Sequence, residues 1–336
     1  MKDVIPAIDK WLESGQQIGL ATVVATWGSA PRQPGAKMAF TANGHIAGSV
    51  SGGCVEGAVI EAGQEVLATG EPQLLHFGVA DETAWEVGLA CGGEIEVFIQ
   101  PLATAVYEFR RDLLLQNQSG ASVTIIRGPG LGQTLVVGQG SRIAGELVAD
   151  FSAAAIGLAQ STQQPQQVQL TDEMTVFVDV YRPSLTLVMV GGVQIAQALT
   201  SLAHTVGYRT IVIDPRRAFG SADRFPHVDQ LIQAWPEEAL GQIELTAATA
   251  VALLTHDPKI DDPALKIVLK SPVFYIGALG SPKTHTKRRQ RLVKMGFDEA
   301  VIDRIHGPIG LNIGASSPEE IALSILAEIV HASHAR

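Results

Sequence analysis

The sequence is poor in cysteine, in aromatic residues and in charged residues. Of its 336 residues, 2 are cysteine, 5% are aromatic and 17% are charged. So few cysteines exclude a disulfide scaffold and are typical of a reducing compartment. With 46% hydrophobic residues, the chain can bury a large core, which excludes global disorder. At roughly 100–200 residues per domain, the length predicts two or three domains.

An excess of positive charge and long apolar runs are also missing. The chain has 24 Lys and Arg against 34 Asp and Glu, a net charge of −10, which argues against a general nucleic-acid binder. The most apolar stretches, near 185–190 and 245–254, are far shorter than the ~18–20 residues of a membrane span. The first residues resemble an amphipathic helix and not a signal peptide. We therefore expect a cytoplasmic protein with no membrane or nucleic-acid partner.

The pattern of apolar residues changes near Arg182-Pro183. Before it, short strands, a hairpin around Asn43-Gly44 and helices predict a mixed α+β domain at 1–181. After it, apolar strands alternate with helices, which predicts a Rossmann-like, doubly wound parallel-sheet domain at 182–336. The Gln-rich stretch 158–173 is expected to be an exposed loop, and no internal repeat is evident.

The first strand and helix of the second domain enclose an incomplete dinucleotide fingerprint. Gly191 and Gly192 open it, but the position of its middle glycine is occupied by Val193. That glycine lets a pyrophosphate approach bare backbone, so the valine argues against the usual pose of NAD(P). Asp214 ends the next strand, where an acidic residue binds the ribose hydroxyls in this fold.

A second helix start in the same domain is the better candidate for an anion site. Gly280 and Ser281 precede it, and free N–H groups and the helix dipole favour phosphate at such a position. Lys283 is the basic residue that we expect to contact a ligand. The run continues with further basic residues and no acid, namely Lys287, Arg288, Arg289, Arg291 and Lys294. These form either a solvated helix face or a surface that docks a partner.

Two loops place a cysteine beside a glycine pair. They are Ser51-Gly52-Gly53-Cys54 and Cys91-Gly92-Gly93. Cys54 is expected to begin a helix, whose dipole favours a thiolate. Thiolates bind soft metals and carry transferable sulfur, although two small buried side chains or a regulatory disulfide remain alternatives. The C-x₂-C spacing of a structural zinc site is absent.

His256 follows an apolar strand and precedes Asp257. Ligands of open α/β sheets collect at the carboxyl ends of the strands, so His256 is placed for acid–base or ligand contact. A histidine that merely sits in the turn before the next helix is the equal alternative.

Taken together, these motifs resemble the XdhC/CoxI family of xanthine dehydrogenase accessory factors. The N-terminal half carries ATVVATWGSAPRQPGA, GSVSGGCVEGAVIEA and GLACGGEIEVFIQPL, and the C-terminal half carries VIDPR, THDPKIDDPAL, YIGALGSPKTHTKRRQRL and HGPIGLNIGASSPEEIALSILAEIV. The chain departs from the family pattern at Val193 and Asn312.

The resemblance implies a molybdenum cofactor chaperone without turnover of its own. Such a factor binds molybdopterin, as mononucleotide or dinucleotide, supports its sulfuration with a cysteine desulfurase and delivers it to an apo-molybdoenzyme of the xanthine dehydrogenase type. A homodimer is implied as well. The phosphate end of the cofactor would suit Gly280, Ser281 and Lys283, and its molybdenum would suit Cys54 or Cys91.

Two other functions stay open from the residues alone. An NAD(P)-dependent oxidoreductase is supported by the Rossmann pattern and His256 and opposed by Val193 and by the lack of a hydride-transfer constellation. A redox-switched interaction protein would use a disulfide between Cys54 and Cys91. The client enzyme does not follow from the sequence.

Overall fold

The chain forms two compact units, Met1–Pro183 and Ser184–Arg336. The computed structural model describes residues 1–78, 92–139, 142–148 and 151–335. Within these ranges, the first unit contains two antiparallel sheets with helices, and the second contains a parallel sheet between helices.

The first sheet of the N-terminal unit has antiparallel strands in the order β3-β2-β1-β5-β4. The turn at Asn43-Gly44 joins β2 to β3, as the sequence predicts. The elements are α1 (Ile5–Glu13), β1 (Ile18–Trp27), β2 (Lys37–Thr41), β3 (Ile46–Gly48), α2 (Glu56–Thr69), β4 (Gln73–Phe77) and β5 (Glu94–Pro101).

The second sheet repeats the first. It follows the same succession of elements, and its strand order β8-β7-β6-β10-β9 corresponds strand for strand to that of the first sheet. The elements are α3 (Thr104–Leu115), β6 (Gly120–Arg127), β7 (Thr134–Gly138), β8 (Ile143–Gly145), α4 (Ser152–Ser161), β9 (Gln166–Gln169) and β10 (Thr175–Tyr181). The expectation that the chain has no internal repeat is therefore wrong.

The third strand of each half shows the correspondence at the level of single residues. Both β3 and β8 have the sequence Ile-Ala-Gly. Their glycines, Gly48 and Gly145, have left-handed φ angles of 76° and 80°. A Cβ at either position would collide with a carbonyl oxygen of the neighbouring strand, that of Lys37 or of Thr134. Glycine is thus required twice, at equivalent places, by both conformation and space.

The Gln-rich stretch 158–173 is not the exposed loop that its composition predicts. Its first residues complete α4, and four of its residues form β9, which pairs with β10 at the edge of the second sheet. An edge strand keeps one side in water, so polar residues are tolerated there once a neighbouring strand offers the pairing.

The two halves of the N-terminal unit share a core. One apolar cluster joins α1, β1 and β2 of the first half to α3 and β7 of the second. Between the sheets, Lys37 and Asp179 form a buried ion pair with Nζ and Oδ2 2.8 Å apart. Burial lowers the pKa of Lys37, whereas the Asp179 charge opposes that shift. Loss of one partner would leave the other charge buried alone, so this pair fixes how the halves meet.

The C-terminal unit has one six-stranded parallel sheet in the order β13-β12-β11-β14-β15-β16. This order is that of the doubly wound dinucleotide-binding fold, so the predicted fold class is confirmed. The elements are β11 (Thr186–Val190), α5 (Gln194–Thr205), β12 (Arg209–Ile213), β13 (Gln230–Ile232), α6 (Pro236–Gly241), β14 (Thr249–Leu253), α7 (Pro258–Val268), β15 (Tyr275–Ala278), α8 (Pro282–Lys294), α9 (Glu299–Ile302), β16 (Ile305–His306) and α10 (Pro318–His334).

Helices cover both faces of this sheet, which explains its uninterrupted apolar strands. In β11, Val188 and Val190 belong to a cluster with α7, whereas Leu187 and Met189 belong to a cluster with α5 and α10. Helix α10 begins with the Ser317 side chain as N-cap and a complete capping box, a start that is encoded by adjacent residues. The carboxyl ends of the strands therefore form one edge at which the loops can hold a ligand.

Candidate functional site

The segment 49–55, here called the thiol loop, joins β3 to α2 and carries Cys54. Its conformation is held by Glu56, the first residue of α2, whose carboxylate turns back over the loop. The Glu56 carboxylate accepts hydrogen bonds from Ser49 Oγ at 2.6 Å, Ser51 Oγ at 2.5 Å, and the backbone N–H groups of Val50 at 3.2 Å, Ser51 at 2.9 Å and Gly53 at 2.9 Å.

These hydrogen bonds stabilise the ionised form of Glu56. Partial burial acts to raise the pKa of this carboxyl group, but the bonds from Ser49 and Ser51 outweigh it and lower the pKa to about 2. A carboxylate that accepts several backbone and hydroxyl bonds behaves in this way. At neutral pH, Glu56 is therefore a fixed negative charge that organises the thiol loop.

Cys54 is exposed and is not bonded in a disulfide. Its backbone N–H donates to Ser51 Oγ at 2.9 Å, which fixes the loop next to the thiol. Helix α2 begins at Glu56, two residues later, so the prediction that Cys54 begins the helix is wrong. The alternative of a buried, inert side chain is also wrong for Cys54. Gly52 and Gly53 have φ angles of 82° and 123°, which L side chains rarely adopt.

The second glycine pair lies against the chain that follows β1. A Cβ at Gly93 would lie 2.8 Å from the backbone carbon of Ser29, and one at Gly28 would lie 3.5 Å from Gly93 Cα. Gly92 has a φ angle of 73°. Cys91 lies outside the described residues.

The thiol loop reaches the same stretch of chain. A Cβ at Gly52 would lie 4.0 Å from Pro31 Cβ, and Gly93 approaches Ser29 and Ala30. Residues 29–31 thus contact both glycine pairs. The structure thus brings Gly52, which is exposed, and Gly93, which is buried, against one short stretch of the N-terminal unit.

In the C-terminal unit, the two groups expected to face a dinucleotide bind each other. The N–H of Gly192 donates to Asp214 Oδ2 at 2.7 Å. Arg216 donates to the same carboxylate through Nε at 2.9 Å, Nη2 at 2.7 Å and its backbone N–H at 2.9 Å. Burial acts to raise the pKa of Asp214, but the bonds from Arg216 and Gly192 lower it.

The segment after Asp214 also covers the glycine turn. A Cβ at Gly192 would collide with the carbonyl oxygen of Phe219, and the guanidinium of Arg216 lies 4.0 Å from the Phe219 ring centroid. Gly191 has a φ angle of 114°. A ribose contact by Asp214 would therefore require that Arg216 leave, which strengthens the argument that Val193 makes against the usual NAD(P) pose.

His256 lies at the carboxyl end of β14 and is exposed, with a left-handed φ angle of 51°. Left-handed backbone is uncommon for a residue with a side chain and is enriched at functional sites. Its neighbours have structural roles, because Thr255 Oγ1 donates to Asp261 at 2.5 Å and Asp257 accepts from Lys259 N–H at 2.9 Å. Within the described part of the chain, no contact occupies the His256 ring.

The start of α8 is tightly built. Gly280 has a φ angle of 138°, and a Cβ there would lie 2.9 Å from Thr284 Cγ2. Ser281 Oγ caps the helix by accepting from Thr284 N–H at 3.2 Å. Lys283 follows Pro282 on the first turn and is exposed, with no partner among the described residues.

The arginines of α8 are paired with acidic residues of the same unit, and for Arg288, which is buried, both a solvated face and a docking surface are wrong. Each forms an ion pair within the unit: Arg288 with Asp261 at 3.3 Å, Arg289 with Asp303 at 2.5 Å and Arg291 with Asp262 at 2.6 Å. Arg288 is fully buried. Only the lysines of the run, Lys283, Lys287 and Lys294, have no ion-pair partner in the described ranges.

Comparison with known families gives two matches. Residues 11–78 match the XdhC and CoxI family, and residues 187–329 match the XdhC Rossmann domain. A probable xanthine dehydrogenase subunit from Bacillus subtilis (strain 168) is 30% identical over 332 residues, which are 96% of this chain and 95% of that protein. The chain belongs to the XdhC and CoxI family.

Two further relatives agree with membership of the XdhC and CoxI family. The molybdenum cofactor insertion chaperone PaoD of Escherichia coli (strain K12) is 30% identical over 319 residues, covering 95% of this chain and 84% of that protein. A crystal structure of a xanthine dehydrogenase from Bacillus halodurans matches with a TM-score of 0.82 and 26% identity, over 100% of this chain and 97% of that one. The family resemblance read from the motifs is confirmed.

Metal clusters and membrane-spanning helices are both missing from the described residues. No group of three or more His, Cys, Asp or Glu side chains among them is arranged to hold a metal ion. No helix in these ranges has the length and apolar character needed to cross a membrane.

Sequence reasoning missed Glu56 and Arg216. A glutamate at a helix start is common, and only the tertiary structure shows that the Glu56 carboxylate accepts hydrogen bonds from the thiol loop. The sequence does carry one signal, since Ser49 and Ser51 flank a turn whose donors need an acceptor. For Arg216, the signal is its position two residues after Asp214.

Proposed function

We propose that this chain binds the molybdenum cofactor as cargo and inserts it into an apo-molybdoenzyme of the xanthine dehydrogenase type. The names of two relatives support this, one a molybdenum cofactor insertion chaperone and the other a probable subunit of xanthine dehydrogenase. On this proposal the chain is a maturation factor without turnover of its own. A cysteine desulfurase is its second partner and supplies the terminal sulfur of the cofactor.

The observation that carries the proposal is the exposed thiol of Cys54 on a loop that Glu56 organises. Sulfur is a soft ligand and suits molybdenum or a transferable sulfur atom better than the hard oxygen donors of most sites. A loop held by internal hydrogen bonds presents such a ligand without a large ordering cost on binding. Cys91 would supply the second thiol, with Gly52, Gly53, Gly92 and Gly93 allowing close approach.

The anionic end of the cofactor carries one phosphate or a diphosphate. We assign it to the first turn of α8, where Gly280 and Ser281 precede the helix and Lys283 adds an exposed positive charge. Helix N-termini favour phosphate through their N–H groups and dipole. We include Gly191 and His256 as further contacts, because they also follow carboxyl ends of strands in this sheet. Gly192 and Asp214 would join them only if the ligand displaced the bonds that they form with each other and with Arg216.

The NAD(P)-dependent oxidoreductase is the weaker candidate. The Asp214 carboxylate accepts a hydrogen bond from the Gly192 N–H and another from the Arg216 guanidinium. A dinucleotide in the usual pose would have to replace these bonds before it gained its own.

The proposal is tested by purifying the full chain from a molybdate-fed host. We expect molybdenum by elemental analysis, a pterin that becomes fluorescent on oxidation, and co-purified dehydrogenase. Absence of both metal and pterin from the wild-type chain would contradict the proposal. Saturable quenching of NADPH fluorescence would favour the oxidoreductase, and a shift in gel mobility under oxidant, lost in either Cys→Ser variant, would favour the redox switch.

Variants test the site. Cys54→Ala or Cys91→Ala should lower the molybdenum content of the purified chain, and unchanged content in both removes the cysteines from the site. Lys283→Ala should weaken retention of the phosphorylated pterin, whereas Lys287→Ala, on the next turn of α8, is the matched control. Light scattering on the loaded chain tests the further proposal of a homodimer.

A further inference from the structure

An exposed tryptophan lies at the end of β1 and is not among the proposed metal and phosphate contacts. Trp27 is the last residue of the strand and is 48% exposed, whereas Trp11 on α1 is buried. The centroid of its ring lies 5.9 Å from that of His76 on β4, with the planes at 52°. An exposed aromatic ring face offers a surface on which a flat ligand can stack.

This aromatic pair lies beside the glycine pairs. Trp27 pairs in register with Glu94, the first residue of β5. Gly28 follows Trp27 and Gly93 precedes Glu94, and a Cβ at Gly28 would lie 3.5 Å from Gly93 Cα. The chain after Trp27 also reaches Pro31 beside the thiol loop. All of these residues belong to the N-terminal unit.

The same corner carries an acceptor. Glu94 Oε2 lies 3.6 Å from His76 Nε2, and the side chains of both residues are about half exposed. A carboxylate with an open side can accept two parallel N–H bonds from one planar ligand. The aromatic pair and the half-exposed carboxylate together suit a flat heteroaromatic ring that has two adjacent N–H donors on its edge. The aminopyrimidinone end of a pterin has this pattern.

We propose that Trp27 and His76 form a platform for the pterin ring of the cargo and that Glu94 accepts hydrogen bonds from its amino and ring N–H groups. This inference rests on the proposed function and adds to it the contacts of the organic part. Stacking holds the ring, and the carboxylate distinguishes a pterin from a flat ring that lacks the amino group. The metal end of the same molecule is then directed to the thiol loop.

The test is a titration of the full chain with 6-hydroxymethylpterin, followed by the fluorescence of the pterin. Removal of one stacking partner costs a base-sized ring about tenfold in affinity, so we expect that loss for Trp27→Leu. Trp27→Phe should retain most of the affinity. Trp235→Leu is the matched control, because Trp235 is 56% exposed but lies in the other unit.

Lumazine, which carries an oxygen in place of the 2-amino group, tests Glu94. The wild-type chain should bind the hydroxymethylpterin more tightly than lumazine, and Glu94→Gln should remove most of that preference. Equal affinity of Trp27→Leu and wild type, or an equal loss in Trp235→Leu, would overturn the platform. So would a wild-type chain that does not bind the pterin.

Failure of the platform can be told apart from failure of the proposed function. If Trp27→Leu purified from a molybdate-fed host carries as much molybdenum and pterin as wild type, the platform is wrong and the cargo stands. If the wild-type chain carries neither, the cargo itself is wrong. Thermal unfolding of each variant shows whether it is folded. If Trp27→Leu does not fold, the pterin affinity of Trp27→Phe, which keeps an aromatic ring, still tests the position.

Discussion

Ser51 and Glu56 form the central bond of the thiol loop. Ser51 Oγ donates to Glu56 Oε2 at 2.5 Å and accepts from the N–H groups of Cys54 at 2.9 Å and Val55 at 3.0 Å. One hydroxyl thus connects the carboxylate to the residue that carries the thiol. The position of the Cys54 thiol therefore depends on the bond between Ser51 and Glu56, which a substitution at Cys54 would leave in place.

Glu56→Ala should loosen the thiol loop. The substitution leaves two hydroxyls and three N–H groups without their acceptor, and we expect a loss of about 1–2 kcal/mol in the free energy of unfolding. The reaction rate of Cys54 with a disulfide reagent, measured in a Cys91→Ser background, should change as the loop loses its fixed geometry. Glu61→Ala is the control, because Glu61 is exposed on the same helix. Equal effects of the two variants would contradict the role of Glu56.

The contribution of Glu56 should depend on pH. Its folded-state pKa of about 2 lies below the ordinary value of 4.5, so the stabilisation is present above the unfolded value and is lost as the pH falls towards the folded one. The difference in unfolding free energy between wild type and Glu56→Gln should therefore shrink from pH 6 to pH 3. Chemical denaturation at several pH values measures it. A difference that stays constant would mean that folding does not lower the pKa of Glu56.

Arg216→Ala should destabilise the C-terminal unit. Asp214 is fully buried, and without the guanidinium its carboxylate keeps fewer donors. We expect a loss of about 1–3 kcal/mol in the free energy of unfolding, since an incompletely paired carboxylate is costly. Arg217→Ala is the matched control, because Arg217 is exposed and adjacent. NADH titration of both variants then tests whether loss of the Arg216 guanidinium makes Asp214 available to a dinucleotide.

Gly48→Ala and Gly145→Ala should be destabilising to a similar degree. Both glycines have left-handed φ angles, and a Cβ on either would collide with a carbonyl oxygen. We expect losses above about 1 kcal/mol in each half. Gly57→Ala is the control, because it lies in α2 with open space around it and should be neutral or slightly stabilising. A neutral result at one of the two positions would show that the halves differ there.

The parts of the fold that were predictable depend on local pattern. The apolar run of β1, the turn at Asn43-Gly44 and the capping box at Ser317 each follow from residues adjacent in sequence. The parallel sheet follows from alternation of apolar strands and helices. The internal repeat was not predictable in this way, because the halves share little beyond Ile-Ala-Gly and the correspondence lies in strand order.

The parts of the site that were missed depend on partners distant in sequence. The arginines of α8 read as surface charge until Asp261, Asp262 and Asp303 are seen to face them. Trp27 reads as the apolar end of a strand, and only its exposure beside His76 gives it another meaning. The reactive residue types were found from the sequence, whereas the groups that position them needed the tertiary structure.

The two copies of the repeat in the N-terminal unit differ in the length of chain that joins their last two strands. Along the chain, the link between the last two strands runs from Phe77 to Glu94 in the first copy but only from Gln169 to Thr175 in the second. Both cysteines belong to the first copy, in which more residues separate these two strands. The second copy carries no cysteine, so the repeat does not provide a second pair of thiols and the proposed metal contacts occur once per chain.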